Sequence, residues 1–170
     1  MRDRQASQGA RRAREFEAFV AGAAGRLLHA ATLLTAEPPT GNPRARRLLT
    51  LALAHTYASW DRLRGEDPYD RTRQQLAVRF ARGAWHRYGR LHPYGRSRAA
   101  PAGVLAGLGP QERLIVVLRL YEGVAEEQTA ALLGLPVERV RSICARAMAT
   151  LLHPPRRPAP TAVEAEVAPS

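Results

Sequence analysis

Residues 108–151 read LGPQERLIVVLRLYEGVAEEQTAALLGLPVERVRSICARAMATL, and this stretch decides the fold. Pro110 suits the first turn of a helix, and Glu112 lies near the positive end of that helix's dipole. Leu114, Val117, Leu118 and Tyr121 recur at helical spacing and give it one apolar face. Glu122-Gly123 stops it. A short second helix, Glu126 to Leu133, carries the small residues Thr129 and Ala130, which let another helix cross closely. Gly134 stands where the chain must turn sharply, in a left-handed conformation that costs glycine little. Pro136 opens a third helix running to about Leu151. There Val137, Val140, Ile143 or Cys144, Ala147 and Leu151 form the buried stripe, while Arg139, Ser142 and Arg146, flanked by Glu138 and Arg141, lie on another face. Two readings of that face stand side by side. One is a recognition helix for the major groove, in which Arg reads guanine or holds phosphate. The other is a solvated charged face on an ordinary three-helix hairpin.

Working outward, the chain of 170 residues suits one moderate domain or two small ones. Helical periodicity predicts a first helix from Arg14 to Thr35, with Phe16, Phe19, Val20, Ala23, Leu27, Ala31 and Leu34 on its apolar side. Glu37-Pro-Pro-Thr-Gly-Asn-Pro43 cannot continue it. A second helix follows from Pro43 to Leu63, and a third from Pro68 to Arg90 with Tyr69, Leu76, Phe80 and Trp85 as core candidates. The expected organisation is all-α: two small helical domains, residues 14–90 and 108–152, joined by a flexible linker at 91–107 rich in Gly, Pro, Ala and Ser. A basic arm at 1–13 and a Pro-rich tail at 153–170 are expected to be disordered.

The formal net charge is +11, and every one of the 26 basic residues is Arg. Codon bias accounts for Arg in place of Lys; the excess itself points to an anionic partner. It is not spread evenly. Residues 1–106 hold 19 Arg against 8 acids, whereas 107–152 hold 5 of each and 153–170 hold 2 of each. The N-terminal part therefore carries the whole excess.

Several classes of chemistry are set aside. The single cysteine, Cys144, permits no internal disulfide and fits a reducing compartment. No apolar run of bilayer length is evident, and no secretory leader precedes the first helix, so a cytoplasmic protein without membrane contact is expected. His29, His55, His86, His92 and His153 show no metal-ligand spacing, and there is no phosphate loop or serine elbow. No metal, no cofactor and no enzyme activity are expected.

The ungapped run from Leu108 to Leu151 resembles region four of sigma-70-family factors, and the extracytoplasmic-function class in particular. In that family this region binds the −35 promoter element. The resemblance implies promoter DNA as partner, Arg119 on backbone phosphate, and Glu138, Arg139, Arg141, Ser142 and Arg146 on the recognition helix. Two positions depart from the pattern: Ala125 stands where a Ser or Thr cap is usual, and Pro136 where a Ser is usual. Phe16 to Arg90 resembles region two of the same factors through Glu15-Phe-Glu-Ala-Phe-Val20, Leu33-Leu-Thr35, Ala54-His-Thr-Tyr-Ala-Ser-Trp60, Tyr69 and Leu76 to Arg87. Region two binds core RNA polymerase and melts the −10 element. Contacts to −10 DNA are thereby implied for Arg79, Arg82, Trp85, Arg87 and Tyr88, by aromatic stacking and a basic groove. The family's polymerase-binding helix carries an acidic pair before a Leu. Aligned on Trp60, that pair falls at Arg46 and Arg47, before Leu48, which reverses the charge of the implied docking surface. The resemblance thus implies a sigma factor directing polymerase to promoters. Two alternatives stay open: a sigma-like regulator that no longer binds polymerase, and an interaction module bound by an anti-sigma factor.

Overall fold

The computed structural model describes residues 2–63, 65–88 and 103–153, with side chains described for 6–63, 65–84 and 103–153. The linker core at 91–102 and the tail from 154 onward lie outside the described residues. Among the described residues the chain is helical, without strands.

Helix α1 runs Arg2–Thr35, so it starts a dozen residues earlier than its apolar periodicity predicts, and residues 2–13 are its first turns instead of a disordered arm. Ala and Arg both favour a helix interior. Arg12 supplies the anchor: it donates to the Tyr57 carbonyl at 2.8 Å, pairs with Asp61 at 3.1 Å and stacks over the Tyr57 ring. Next to it Phe16, Phe19, Tyr57 and Trp60 form an aromatic cluster with ring centres 4.8–6.0 Å apart. By length and composition, Ala6–Thr35 would suffice to cross a membrane, contrary to the sequence expectation. Here Leu27, Ala30, Ala31 and Leu34 of that helix lie in the protein core.

Helix α2 spans Pro43–Ala58 and ends sooner than expected, passing into a 3-10 turn at Trp60–Arg62. Asn42 precedes its first turn but makes no capping bond. The Glu37 carboxylate does that work, accepting the backbone N–H groups of Arg44 at 3.1 Å and Ala45 at 2.8 Å, and the Arg44 guanidinium at 3.0 Å. Helix α3 spans Pro68–Tyr88. The first three helices enclose one core of Ala23, Leu27, Ala31, Ala45, Leu49, Ala52 and Leu76. A buried Thr56–Thr72 hydroxyl pair, 2.9 Å apart, ties α2 to α3.

Helix α4, Pro110–Val116, passes directly into a π turn at Val117–Tyr121. Helix α5 spans Glu126–Leu133 and α6 spans Val137–Leu152. Gly134, at φ +65°, makes the left-handed turn between them, as its place in the sequence demands.

The two halves are not separate bodies. A second core runs through both, joining Ala30, Leu34, Ala77, Phe80 and Ala81 to Leu105, Leu108, Leu114, Leu133 and the α6 stripe of Val140, Ile143 and Ala147. The described end of the expected linker, residues 103–107, is folded: Leu105 is buried and Gly103 donates to the Ala36 carbonyl at 3.4 Å. A Cβ at Gly103 would stand 3.2 Å from the Glu37 backbone oxygen, a tight contact that only a small shift of that backbone would relieve, so this close approach favours glycine.

Candidate nucleic-acid interface

Helix α6 buries Val140, Ile143 and Ala147 against α4 and α5, and this fixes which of its residues face outward. Glu138, Arg139, Arg141, Ser142 and Arg146 are all exposed. The arginines are not equivalent. Among the described residues the Arg139 backbone N–H donates to the Pro136 carbonyl at 3.1 Å, but its guanidinium makes no hydrogen bond or ion pair and is free to engage a ligand. Arg141 forks onto Glu126 with two bonds, of 3.1 and 2.9 Å. Arg146 donates to Glu112 at 3.1 Å. Such exposed pairs contribute roughly 0–1 kcal/mol each. They orient the two arginines, on opposite flanks of the helix, without holding them against a stronger anion.

The carboxylates of these pairs serve the helix-turn-helix as well. Glu112 accepts the Gly109 N–H at 2.9 Å at the start of α4. That bond first, and then Arg146, hold its carboxyl below the usual range in spite of partial burial. Glu126 sits in the first turn of α5, where a negative charge suits the dipole, and helps an N-terminus whose Ala125 offers no capping oxygen. Arg119 belongs to the same network. It donates to the Val124 carbonyl and lies 3.4 Å from Glu126. Its guanidinium braces the loop between α4 and α5, and the phosphate contact implied for it would require it to leave that carbonyl.

Cys144 is half-buried beside the stripe, and burial pushes its thiol above the usual range. It is suited to packing and not to nucleophilic chemistry. Among the described residues no three His, Cys, Asp or Glu side chains come together as metal ligands.

Comparison with known proteins agrees with this geometry. Residues 104–153 match the family described as Sigma-70, region 4. The RNA polymerase sigma-E factor of Streptomyces coelicolor is 31% identical over 153 residues, covering 81% of this chain and 84% of that protein. The chain belongs to the sigma-70 family. The RNA polymerase sigma-E factor of Streptomyces avermitilis is 30% identical over the same length, covering 81% of this chain and 83% of its own. That of Streptomyces antibioticus is 31% identical over 123 residues. No solved structure matches the chain significantly. The similarity to these relatives extends far beyond region four and identifies an extracytoplasmic-function-type sigma factor. The protein is a DNA-binding transcription initiation factor, and its family implies promoter DNA and core RNA polymerase as partners. Sigma factors are initiation factors and not enzymes.

Within this sigma factor the residues implied for −10 contact are arranged less uniformly. Arg82 is exposed on α3, whereas Arg79 is half-buried with its Nε unpaired in the described structure. The side chains of Trp85, Arg87 and Tyr88 lie outside the described residues. Arg46 and Arg47 are exposed on α2, with Arg46 donating to Asn42 at 3.0 Å, while Leu48 is half-buried between the two cores. The sequence reading missed the bracing role of Arg119. A signal was present in Arg119 and Glu126, seven residues apart across a glycine turn, but only the folded loop brings them together.

Proposed function

We propose that this sigma factor reads a −35 element through the outward face of α6, with Arg139 and Ser142 meeting base edges and Arg141 and Arg146 released from their carboxylates onto bases or phosphate. The observation that carries the reading is the free guanidinium of Arg139 on an exposed face whose opposite side is wholly committed to the core. Selection of duplexes from a random library, followed by affinity measurement, tests it. Arg139→Ala is expected to weaken the selected site by about 1–3 kcal/mol and to relax preference at one base pair. Unchanged affinity and preference would remove Arg139 from the reading face.

Docking on core polymerase through residues 14–90 and capture of −10 DNA by the Arg79 to Tyr88 end of α3 complete this reading. The compartment it requires is the cytoplasm, where polymerase and chromosome are found. The exposed Arg46 and Arg47 favour a second reading, a regulator that has given up polymerase. Binding of core polymerase by the wild type and by an Arg46→Glu/Arg47→Asp variant separates the two. Tight binding by the wild type supports the initiation factor with an altered docking surface. Binding gained only by the variant supports the regulator. An anti-sigma partner is the further reading if neither polymerase nor DNA is bound.

A further inference from the structure

Two carboxylates flank the outward face of α6, and both are divided in the same way. Glu112 gives one oxygen to the scaffold, accepting the Gly109 N–H at 2.9 Å, and the other to Arg146 at 3.1 Å. Glu126 gives one oxygen to Arg119, 3.4 Å away, and the other to Arg141 at 2.9 and 3.1 Å. The two Glu side chains are 22% and 23% exposed and their arginine partners on α6 are 57% and 60% exposed, so each pair stands at the protein rim with its guanidinium outward. Helix formation does not require the second bond. The Gly109 bond closes the start of α4, and a charge in the first turn of α5 suits its dipole, whether or not an α6 arginine is present. What the second oxygen does is occupy a cation that would otherwise point into solvent.

The consequence is felt at a phosphate backbone. Binding to arbitrary sequence is driven by free cations that displace counterions from the duplex. An arginine already held by a carboxylate gains little there, because it exchanges one exposed ion pair for another and leaves a bare negative charge facing the DNA. A bidentate contact to a guanine edge offers more than that exchange costs. Release also leaves neither carboxylate orphaned, since Glu112 keeps the Gly109 N–H and Glu126 keeps Arg119. Residues 107–152 hold five Arg and five Glu, so this half has no surplus charge with which to grip DNA indiscriminately. Of the three arginines on the α6 face, only Arg139 needs no release.

We propose that Glu112 and Glu126 are specificity-determining residues for −35 recognition: they hold Arg146 and Arg141 back from arbitrary duplex and yield them only at the matching site. The inference rests on the −35 reading given above. A Glu112→Gln/Glu126→Gln variant of the full chain tests it. The amide oxygen of Gln still accepts the Gly109 N–H, and circular dichroism confirms retained helix. Glu127→Gln is the control, because it removes the same charge from the same first turn of α5 while Glu127 has no arginine partner among the described residues. Affinity is measured against salt concentration on two duplexes, one selected by the wild type from a random library and one of scrambled sequence. On the scrambled duplex the double variant is expected to bind roughly tenfold tighter, within what two released exposed pairs allow. Its salt slope there should be steeper by about one for each arginine freed. On the selected duplex the gain should be about twofold, so that the specificity ratio falls roughly fivefold. The control should keep the wild-type slope and ratio. Equal gains on the two duplexes would overturn the specificity role. A control that matches the double variant would reduce the effect to bulk charge and overturn the assignment of these two carboxylates. Failure of the wild type to select any sequence would overturn the −35 reading instead. In that case a slope that still steepens on the scrambled duplex upholds the withholding of the arginines, and an unchanged slope overturns that too.

Discussion

The two halves of this sigma factor divide charge and geometry between them. The N-terminal half holds the whole basic excess of the chain, yet many of its arginines are bound to the protein itself: Arg12 to Tyr57 and Asp61, Arg44 to Glu37, Arg73 to Asp70. The C-terminal half is neutral between residues 107 and 152, yet it presents the more organised face for a nucleic acid. Net charge concentrates a protein near DNA without telling it where to stop, and a few oriented donors do the opposite. The surplus in one half and the free Arg139 in the other are thus complementary, and neither substitutes for the other.

The comparison can be broken at the shared core. Phe80 of α3 packs in the cluster that includes Leu114 and Leu133. Phe80→Ala is expected to cost about 3–5 kcal/mol. Urea unfolding followed by circular dichroism should show the whole molecule losing stability in one transition, and a biphasic curve would mean that the halves fold independently.

A smaller effect sharpens the N-terminal side. Glu37 is buried, which raises the pKa of a carboxyl, but four hydrogen bonds to Ala45, Arg44 and Thr35 outweigh this and hold it below the ordinary value of 4.5. A depressed folded pKa means that its stabilisation is present above about pH 4.5 and is lost as pH falls through the folded value. Glu37→Gln should lower stability by about 1–3 kcal/mol at neutral pH. The gap from wild type should close on acidification; a gap that stays constant to pH 3 would mean the charge contributes nothing.

The smallest effect sharpens the C-terminal side. Ala125 leaves the start of α5 without a side-chain cap. Ala125→Ser should therefore raise stability by roughly 1 kcal/mol, read as an upward shift in Tm. Absence of any gain would indicate that Glu126 and Glu127 already satisfy that helix end.

Much of the architecture was legible because it is periodic. The stripes of α1 and α6, the glycine turn at Gly134 and the stop at Glu37-Pro38-Pro39 follow from spacing and backbone chemistry, and so does the outward placement of Glu138, Arg139, Arg141, Ser142 and Arg146. The unread parts depend on residues distant in sequence. Residues 2–13 join α1 because Arg12 meets Asp61, 49 positions away. Glu122 reads locally as a helix stop, and its real partner, Tyr69, is 53 positions back. Nor does local spacing show whether an arginine on a polar face is free, like Arg139, or committed, like Arg119.

The π turn at Val117–Tyr121 has a consequence for how this chain tolerates insertion and deletion. It holds one more residue than an α-helical path between Val116 and Glu122 would need. Removing one residue there would restore ordinary helical pairing and leave the chain beyond Glu122 on much the same path, because the π turn already absorbs the extra residue. The same deletion in an ordinary α-helical turn would rotate everything downstream by about 100°, so the π turn is a place where this chain can lose a residue without losing the phase between its halves.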